Sequence, residues 1–391
     1  MPATMGKNIA PKGVICMAVI MILTALAVSL AAGWLLLRFE HLHAWASHDL
    51  TSSGPQKFHV LPTPRIGGVQ IAAGLLAGLA VNTFNTPESF NDTALFCVAV
   101  APAFFSGLIE DLTKKIGPDM RLWASFLSAL LCVYFFDVAI HQVGITWLDQ
   151  LLSWYPIALV FTVVAIGGVA HAVNIIDGYN GLAAMVSILI LSSIGLVSWW
   201  VGDALLLAIS SVLAASSLGF FCLNWPKGRM FAGDGGAYLW GVGMGALVVM
   251  LVSRNSAVSP WFALLLVGYP ATETLFTIYR RKFLHRTASG QPDAMHLHQL
   301  IYRRLLSMPK EKLTDAARIQ LNSTTSVFLW ILTLISLVPA LLFWRDTTWL
   351  IFFSVLFVLI YLWCYRAIVR FAVPHSLRRL ARSVANRIPL R

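Results

Sequence analysis

The sequence predicts an all-α fold, a polytopic transmembrane helical bundle of about eleven helices, and three observations support this. Hydrophobic residues make up 58% of the 391 residues, charged residues only 12%, and the mean hydropathy is +0.76. Successive apolar runs approach the ~20 residues that an α-helix needs to cross a bilayer. Lysine and arginine concentrate in alternate segments between these runs, a pattern typical of membrane proteins. A soluble domain carries far more charge.

Eleven apolar runs are assigned as spans, with boundaries that can move by several residues. The first run is longer than the apolar part of a signal peptide and lacks an A-x-A cleavage site, so we expect it to remain as a span. The predicted spans are residues 14–37, 66–84, 94–109, 121–138, 155–170, 180–200, 203–222, 235–253, 258–279, 325–343 and 348–371.

The distribution of positive charge predicts the orientation. If segment 38–65 lies in the cytoplasm, 24 of the 28 lysines and arginines fall in cytoplasmic segments. The other four are Lys7, Lys12, Arg254 and Arg345. The positive-inside rule then places the N-terminus outside and the C-terminus in the cytoplasm. The net charge of +11 is therefore a topology signal first, and we expect membrane lipid and no nucleic acid as a partner.

The spans predict one integral membrane domain, residues 1–373, and a basic cytoplasmic tail, residues 374–391. The tail has helical spacing of apolar residues, so an interfacial helix on anionic lipid and a disordered tail both remain open. The five cysteines show no CxxC spacing, which argues against a metal site or disulfide framework built on them. The expected cytoplasmic loops are 38–65, 110–120, 171–179, 223–234 and 280–323.

Each of these five loops carries or adjoins a polar cluster. The clusters are "PTPRIGG" (62–68), "GLIEDLTKK" (107–115), "NIIDGYNGLA" (174–183), "FAGDGG" (231–236) and "HLHQ" (296–299). The loops on the other side of the membrane contain no comparable cluster. Polar groups that converge on one face favour an active site over a transport path, which needs them at mid-depth and on both sides.

The residue types in these clusters indicate phosphoryl transfer. Carboxylates are hard oxygen ligands that suit Mg²⁺, while lysine, arginine and histidine bind phosphate oxygens. Glycines permit tight turns and close backbone approach to a ligand. Positioning and charge neutralisation supply most of the catalysis in phosphoryl transfer. Each motif alone has an ordinary explanation, since "DGYNG" is a common turn and Glu110 with Lys114 forms an i,i+4 pair.

In order and content, the five clusters resemble the signature loops of the polyprenyl-phosphate N-acetylhexosamine-1-phosphate transferase superfamily. The resemblance runs from about residue 49 to 306. Eleven spans with an outside N-terminus fit the O-antigen-initiating branch better than the branch of phospho-N-acetylmuramoyl-pentapeptide transferase. The resemblance implies transfer of a sugar-1-phosphate from a UDP-sugar to undecaprenyl phosphate, with Mg²⁺ (or Mn²⁺) as cofactor and UMP as product. It further implies a bacterial inner membrane location, with the active site facing the cytoplasm, and leaves room for a homodimer.

The resemblance also implies a role for each matching residue. Metal binding falls to Asp234 and Asp111. Catalytic roles fall to Glu110, Asp111, Asp177, His296 and His298. Substrate binding falls to Lys57, His59, Arg65, Lys114, Asn174, Asn180 and Phe231, the last as the aromatic that stacks on uracil.

Three positions depart from the family pattern. Glu110 replaces the usual first aspartate of its motif, which leaves its role as a base open. Asn180 replaces an aspartate and removes a charge near the nucleotide or sugar. His171 stands where some members have asparagine. These changes suggest a distinct donor preference, and the resemblance predicts that Asn180→Asp is tolerated.

Glu273 lies inside the ninth predicted span, about 10 Å from its cytoplasmic end at 1.5 Å per residue. A carboxylate at that depth usually has a partner or faces a cavity. We therefore expect Glu273 to form an ion pair or hydrogen bond that supports the site, in preference to a direct catalytic role.

Two other classes of function compete with the enzyme. A transporter of nucleotide sugar or lipid-linked sugar also keeps carboxylates near broken helices, but the sequence shows no inverted repeat and no matched pair of interrupted spans. A membrane scaffold without activity would have no reason to keep Asp111, Asp177 and Asp234 together with both histidines. The sequence does not identify the sugar, the glycan pathway or the oligomeric state.

Overall fold

The computed structural model describes residues 12–49, 62–285, 295–305 and 314–370. These residues form fifteen α-helices and one pair of very short antiparallel strands, β1 (His48–Asp49) and β2 (Thr63–Pro64), with His48 opposite Pro64. The helices are α1 (Lys12–Arg38), α2 (Glu40–Ser47), α3 (Gly67–Asn85), α4 (Phe90–Thr113), α5 (Pro118–Phe136), α6 (Thr146–Leu152), α7 (Tyr155–Ile176), α8 (Leu182–Val201), α9 (Ala204–Asn224), α10 (Gly233–Arg254), α11 (Pro260–Leu266), α12 (Gly268–Tyr279), α13 (Leu297–Leu300), α14 (Asp315–Leu342) and α15 (Thr347–Val369). A 3₁₀ turn (Pro87–Ser89) precedes α4, and π-helical turns follow α12 (Arg280–His285) and α13 (Ile301–Leu305).

Ten of these helices are long and apolar enough to cross a membrane, which confirms the predicted all-α membrane fold. They are α1, α3, α4, α5, α7, α8, α9, α10, α14 and α15. The third and fifth predicted spans, 94–109 and 155–170, are longer in the structure. Their helices α4 and α7 run on to Thr113 and Ile176, so each carries polar residues of the predicted site in its last turns.

The ninth predicted span, 258–279, is not one straight helix. It consists of α11 and α12, which meet at a bend of 75°. Pro270 explains the break, because a proline ring clashes with the carbonyl of the residue four positions earlier and lacks an N–H. That earlier residue is Leu266, the last residue of α11. The count is therefore ten continuous spans, or eleven if the bent pair crosses the membrane as one.

Helix α10 lies at the centre of the bundle. Of the residues in its most apolar segment 94% are buried, whereas the corresponding value is 22% for α1 and for α15. Small residues allow its neighbours to come close: a Cβ on Gly241 would overlap the backbone of Ala170 on α7. In a membrane, close backbone approach of this kind supplies the packing that holds helices together.

The polar clusters meet where α10 begins. Hydrogen bonds and ion pairs join residues 64–68, 111, 121, 174 and 231–235, and the histidine motif packs against residues 178–179. We call this region, residues 62–68, 107–121, 174–181, 224–236 and 295–299, the polar end of the bundle. The sequence prediction that five separated motifs share one end is confirmed.

Candidate active site

Asp111 and the first turn of α10 form the centre of the polar end. Asp111, in the last turn of α4, is 1% exposed, and its two carboxylate oxygens accept the backbone N–H groups of Asp234 and Gly235 at 2.9 Å each. The first N–H groups of a helix lack partners within the helix, and a negative charge there is favourable. Helices α4 and α10 can approach this closely because Gly107 faces the Asp234 backbone, where a Cβ would lie 2.5 Å from the carbonyl carbon.

The segment of "PTPRIGG" is fixed to the segment of "FAGDGG" by backbone hydrogen bonds. Phe231 donates its N–H to the carbonyl of Pro64, and Gly67 donates to the carbonyl of Phe231, both at 2.9 Å. Gly68 donates to Ala232 at 2.9 Å and lies so close to α10 that a Cβ would be 2.5 Å from the Gly236 nitrogen. These bonds hold Arg65 directly beside Asp234.

Asp234 is surrounded by cationic and amide donors. The Arg65 guanidinium lies 3.3 Å from Asp234 Oδ1 and 3.7 Å from Asp111 Oδ1, so one cation faces two carboxylates. Asn174 Nδ2 donates to Asp234 Oδ1 at 3.0 Å. Arg121, in the first turn of α5, forms an ion pair with Asp234 Oδ2. In the sequence, Arg121 is one of the 24 positive charges that predict the orientation, and nothing there predicts this contact.

Arg121 extends the site towards His171. The His171 ring lies between Ser125 Oγ, 3.4 Å from its Nε2, and the Tyr238 hydroxyl, 3.3 Å from its Nδ1. The side chain of Arg121 is only 15% exposed, and a charged side chain at a membrane helix end that is this buried normally has a function or a partner. Its position shortly before a long apolar run is the one signal in the sequence that could have identified it.

Asp177 follows the last residue of α7 and is coupled to the same centre. Burial raises the pKa of Asp177 to about 7, and the nearby Arg65 opposes that rise. A carboxyl group with a pKa near neutrality can accept or release a proton under ordinary conditions. Asp177 therefore differs from Asp234, which has two arginines and an amide as partners.

The two histidines of "HLHQ" have different surroundings. His296 Nδ1 lies 3.0 Å from Glu273 Oε1, whereas the Nδ1 atom of the buried His298 has no hydrogen-bond partner among the residues that the structure describes. Burial and the neighbouring His296 lower the pKa of His298 well below its usual value, so His298 is neutral at pH 7. His298 packs edge-on against Tyr179, with ring centroids 5.3 Å apart, which brings this motif to the loop that follows Asp177.

The turn that ends α4 accounts for two further predicted residues. Glu110 Oε2 accepts the backbone N–H of Ile116 at 2.7 Å, and the Lys114 ammonium donates to the backbone carbonyl of Asp111 at 2.6 Å. Lys114 itself adopts the left-handed conformation that ends the helix, with φ of 56°. One carboxylate oxygen of Glu110 is thus committed to the turn, which weakens its case as the catalytic base.

Asn180 joins three chain segments. Its backbone N–H donates to Asn322 Oδ1 at 2.8 Å, and its side-chain amide donates to the Pro226 carbonyl at 3.1 Å. Ser326 on α14 donates to the Asn180 carbonyl at 2.7 Å. Beside it, Gly181 donates to Asn224 Oδ1. The loop of residues 177–181 is therefore fixed to α14 and to the segment after α9, and Asn180 is 5% exposed.

A cavity of about 940 Å³ opens beside Phe231, three residues before Asp234. Pro64, Asn180 and Trp225 line its inner part, and Lys227 and Arg229 lie at its exposed side. This volume is in the range of pockets that hold small organic ligands. Phe231 and the two cations Lys227 and Arg229 therefore line one cavity, close in sequence to Asp234.

The structure thus brings together most of the predicted site. Asp111, Asp177, Asp234, Arg65 and Asn174 share one centre, as the distances and charge couplings above show. Lys57 and His59 lie outside the described residues. Within the described part of the chain, no group of three or more His, Cys, Asp or Glu side chains is arranged to hold a metal ion.

Comparisons with known proteins point to one enzyme family. Residues 93–252 match the model of glycosyl transferase family 4. The chain is 29% identical over 253 residues to a probable undecaprenyl-phosphate N-acetylglucosaminyl 1-phosphate transferase of Bacillus subtilis, a match covering 62% of this chain and 66% of that protein. It is 31% identical over 273 residues to a decaprenyl-phosphate N-acetylglucosaminephosphotransferase of Mycobacterium leprae, covering 61% and 66% of the two chains.

A third relative is the undecaprenyl-phosphate alpha-N-acetylglucosaminyl 1-phosphate transferase of Escherichia coli K12, 23% identical over 256 residues, covering 63% and 67% of the two chains. The chain spans slightly less than two thirds of the length of the first two relatives.

The hydrogen bonds of Asn180 change the expectation for its replacement by aspartate. An aspartate would place a carboxylate oxygen against the Pro226 carbonyl, which would keep only its hydrogen bond from Ser323 Oγ. Because residue 180 is buried, we expect Asn180→Asp to lower the free energy of unfolding by about 1–3 kcal/mol, the cost of leaving a buried polar side chain without its hydrogen bond. Thermal unfolding of the purified protein in detergent measures this.

Asn85→Asp is the matched control, because Asn85 also donates to a backbone carbonyl, that of Val81, but is exposed. Equal melting temperatures for the two variants would show that the Asn180 amide does not hold the loop.

Proposed function

We propose that this chain, whose residues 93–252 match the model of glycosyl transferase family 4, transfers an N-acetylhexosamine-1-phosphate from a UDP-sugar to undecaprenyl phosphate or a similar polyprenyl phosphate, and so starts a lipid-linked cell-surface glycan. The observation that carries the proposal is the centre at the start of α10, where Asp111 and Asp234 face Arg65, Arg121 and Asn174. The three relatives are named for transfer of N-acetylglucosamine phosphate to polyprenyl phosphates, which supports the same reaction class here.

We propose that the donor nucleotide binds in the cavity beside Phe231. The half-buried Phe231 lines this cavity, and an aromatic ring is a side chain that can stack on a base. Lys227 and Arg229 supply positive charge for the diphosphate, which would extend from the cavity towards Asp234. Of the remaining predicted contacts, Lys57 and His59 would come from the segment that precedes Pro62.

The donor set at the polar end suits Mg²⁺. Magnesium is commonly held by one or two carboxylates together with substrate phosphates, so a cluster of three protein ligands is not required. Asp234 and Asp111 are the two carboxylates, and the Arg65 guanidinium between them indicates that this space favours a cation. When bound, Mg²⁺ (or Mn²⁺) would neutralise charge on the diphosphate oxygens.

In the proposed reaction, an oxygen of the polyprenyl phosphate attacks the phosphorus that carries the sugar. A bond forms between that oxygen and phosphorus, and the bond from the phosphorus to the bridging oxygen of UMP breaks. One phosphoanhydride replaces another, so the main barrier is the repulsion between two anionic substrates. Arg65 and Arg121 offset that repulsion, and the neutral His298 offers a hydrogen bond without changing the net charge.

Transport is the competing function, and the structure offers it little support. Transporters built from repeats carry matched interrupted helices around a site near mid-depth. The described residues contain a single bent pair, α11 and α12, and the carboxylate cluster lies at helix ends.

We further propose that the polar end faces the cytoplasm of a bacterial cell and that the chain lies in the inner membrane. The distribution of 24 of 28 lysines and arginines supports this orientation, and UDP-sugars are cytoplasmic metabolites.

The first test is product analysis with purified protein, undecaprenyl phosphate, Mg²⁺ and a panel of UDP-N-acetylhexosamines that includes UDP-N-acetylglucosamine. We expect UMP and a sugar-diphospho-lipid, and no UMP in excess EDTA. Asp234→Asn should lower UMP release by roughly a hundredfold or more, the scale for losing a group that stabilises transition-state charge. Asp203→Asn is the control, because Asp203 caps α9 through Leu206 and asparagine caps equally well.

Release of UDP in place of UMP would mean that the sugar alone is transferred. Full activity in EDTA would contradict the metal assignment, and no product with any donor would contradict the enzyme class.

Orientation is tested by cysteine labelling in a variant that lacks the native cysteines. A cysteine at Lys227 should react with a membrane-impermeant reagent only from the cytoplasmic side, and one at Asn255 only from outside, because these residues flank opposite ends of α10. The reverse pattern would overturn the charge-based orientation.

A further inference from the structure

A buried carboxylate within the bent helix pair holds the histidine motif. Glu273 on α12 is 1% exposed, and its Oε1 lies 3.0 Å from His296 Nδ1. The hydroxyl of Tyr361 on α15 donates to Glu273 Oε2 at 2.9 Å. The backbone N–H of Leu297 also points to Oε1, at 3.3 Å. One carboxylate therefore joins α12, α13 and α15, and the expectation that Glu273 would form a supporting bond is confirmed.

These contacts are costly to lose. A carboxylate buried in a membrane bundle is tolerated only where donors replace its hydration. Glu273 has donors on both oxygens, so its position and that of His296 are set together. Arg280 adds a second fixed point, because it donates to the Met295 carbonyl and to the Tyr365 hydroxyl at 2.5 Å each.

The contact at Nδ1 decides how the His296 ring is oriented. The His296 Nδ1 atom faces Glu273 and also lies 3.3 Å from Thr277 Oγ1, so Nε2 lies on the opposite side of the ring, away from that carboxylate. A carboxylate partner fixes the ring orientation of a histidine. The His296 ring stacks on that of His298, with centroids 5.3 Å apart and an angle of 10° between planes. The pair then meets Tyr179 in the loop after Asp177.

We propose that Glu273 and Tyr361 are positioning residues for the transfer reaction: they hold the His296 ring through Nδ1 and, through it, the stacked His298 ring beside the loop after Asp177. This rests on the proposed function, to which it adds a remote helix, α15, as a determinant of the site. Residues 273, 296 and 361 all lie outside the range that the family model matches.

A double-mutant cycle tests whether Glu273 acts through His296. The variants are Glu273→Gln, His296→Ala and the two combined, with turnover and the Michaelis constants of both substrates measured for each. Glu273→Gln should lower turnover about tenfold to a hundredfold in the parent chain, the range for losing a hydrogen bond to a charged group. In the His296→Ala background the same change should cost less than about twofold, because residues that act as one unit are not additive.

Tyrosine variants supply the matched control. Tyr361→Phe removes the hydroxyl that donates to Glu273 and should lower turnover several-fold. Tyr269→Phe, one helical turn before Glu273 on α12, removes a buried hydroxyl that has no hydrogen-bond partner among the described residues, and should leave turnover unchanged. Donor and acceptor Michaelis constants should stay within about twofold in both tyrosine variants.

Equal losses from Glu273→Gln in both backgrounds, or equal losses in the two tyrosine variants, would overturn the positioning role. If the parent chain shows no transfer with any donor, the proposed function fails by itself. In that case the coupling between Glu273 and His296 is measured from the melting temperatures of the same four proteins. Strictly additive changes in melting temperature would overturn the positioning role.

Discussion

The polar end depends on one interaction: the Asp111 carboxylate accepts hydrogen bonds from two backbone N–H groups of α10. Helix α10 is the most enclosed helix of the bundle, so its first turn can only be satisfied by protein groups. Asp111 supplies both acceptors and places a negative charge at the positive end of the helix. These two hydrogen bonds fix the position of Asp234 at the start of α10. The Asp234 carboxylate in turn contacts Arg65, Arg121 and Asn174. We call the two hydrogen bonds from α10 to Asp111 the clamp. The carboxylates keep lone pairs that the clamp does not use, so the clamp is compatible with metal binding.

The other segments of the polar end are fixed in pairs by the same principle. Residues 64–68 pair with 231–232 through backbone bonds, and Asn180 ties the loop after Asp177 to Pro226 and Asn322. Glu273 ties the histidine motif to α15. Where water is scarce, a polar group without a partner costs more than the bond itself contributes. The side chains of the polar end are therefore held in place by hydrogen bonds and ion pairs within the bundle.

Hydropathy and charge predicted most of the fold, because a membrane span must be about as long as the bilayer is thick. The bend at Pro270 was not predicted, since the apolar run continues through it. The short polar motifs identified Asp111, Asp177 and Asp234, because each of these aspartates lies in a polar segment beside an apolar run. The sequence does not identify the roles of Arg121 and Tyr361, because a single polar residue beside or within an apolar run has no spacing that identifies its partner. Asn180 was identified, but its hydrogen bonds to Pro226 and Asn322 depend on contacts remote in sequence.

The measurement that tests the account most directly is the comparison of stability and donor binding in Asp111→Asn. Asparagine has one acceptor oxygen where the carboxylate has two, so one N–H of the first α10 turn loses its partner. The account predicts that the melting temperature and the affinity for UMP both fall, while Asp346→Asn, which alters an exposed carboxylate at the start of α15, changes neither. If Asp111→Asn abolished transfer but left the melting temperature and UMP affinity unchanged, Asp111 would act only on the reacting groups, and the clamp on α10 would not organise the site.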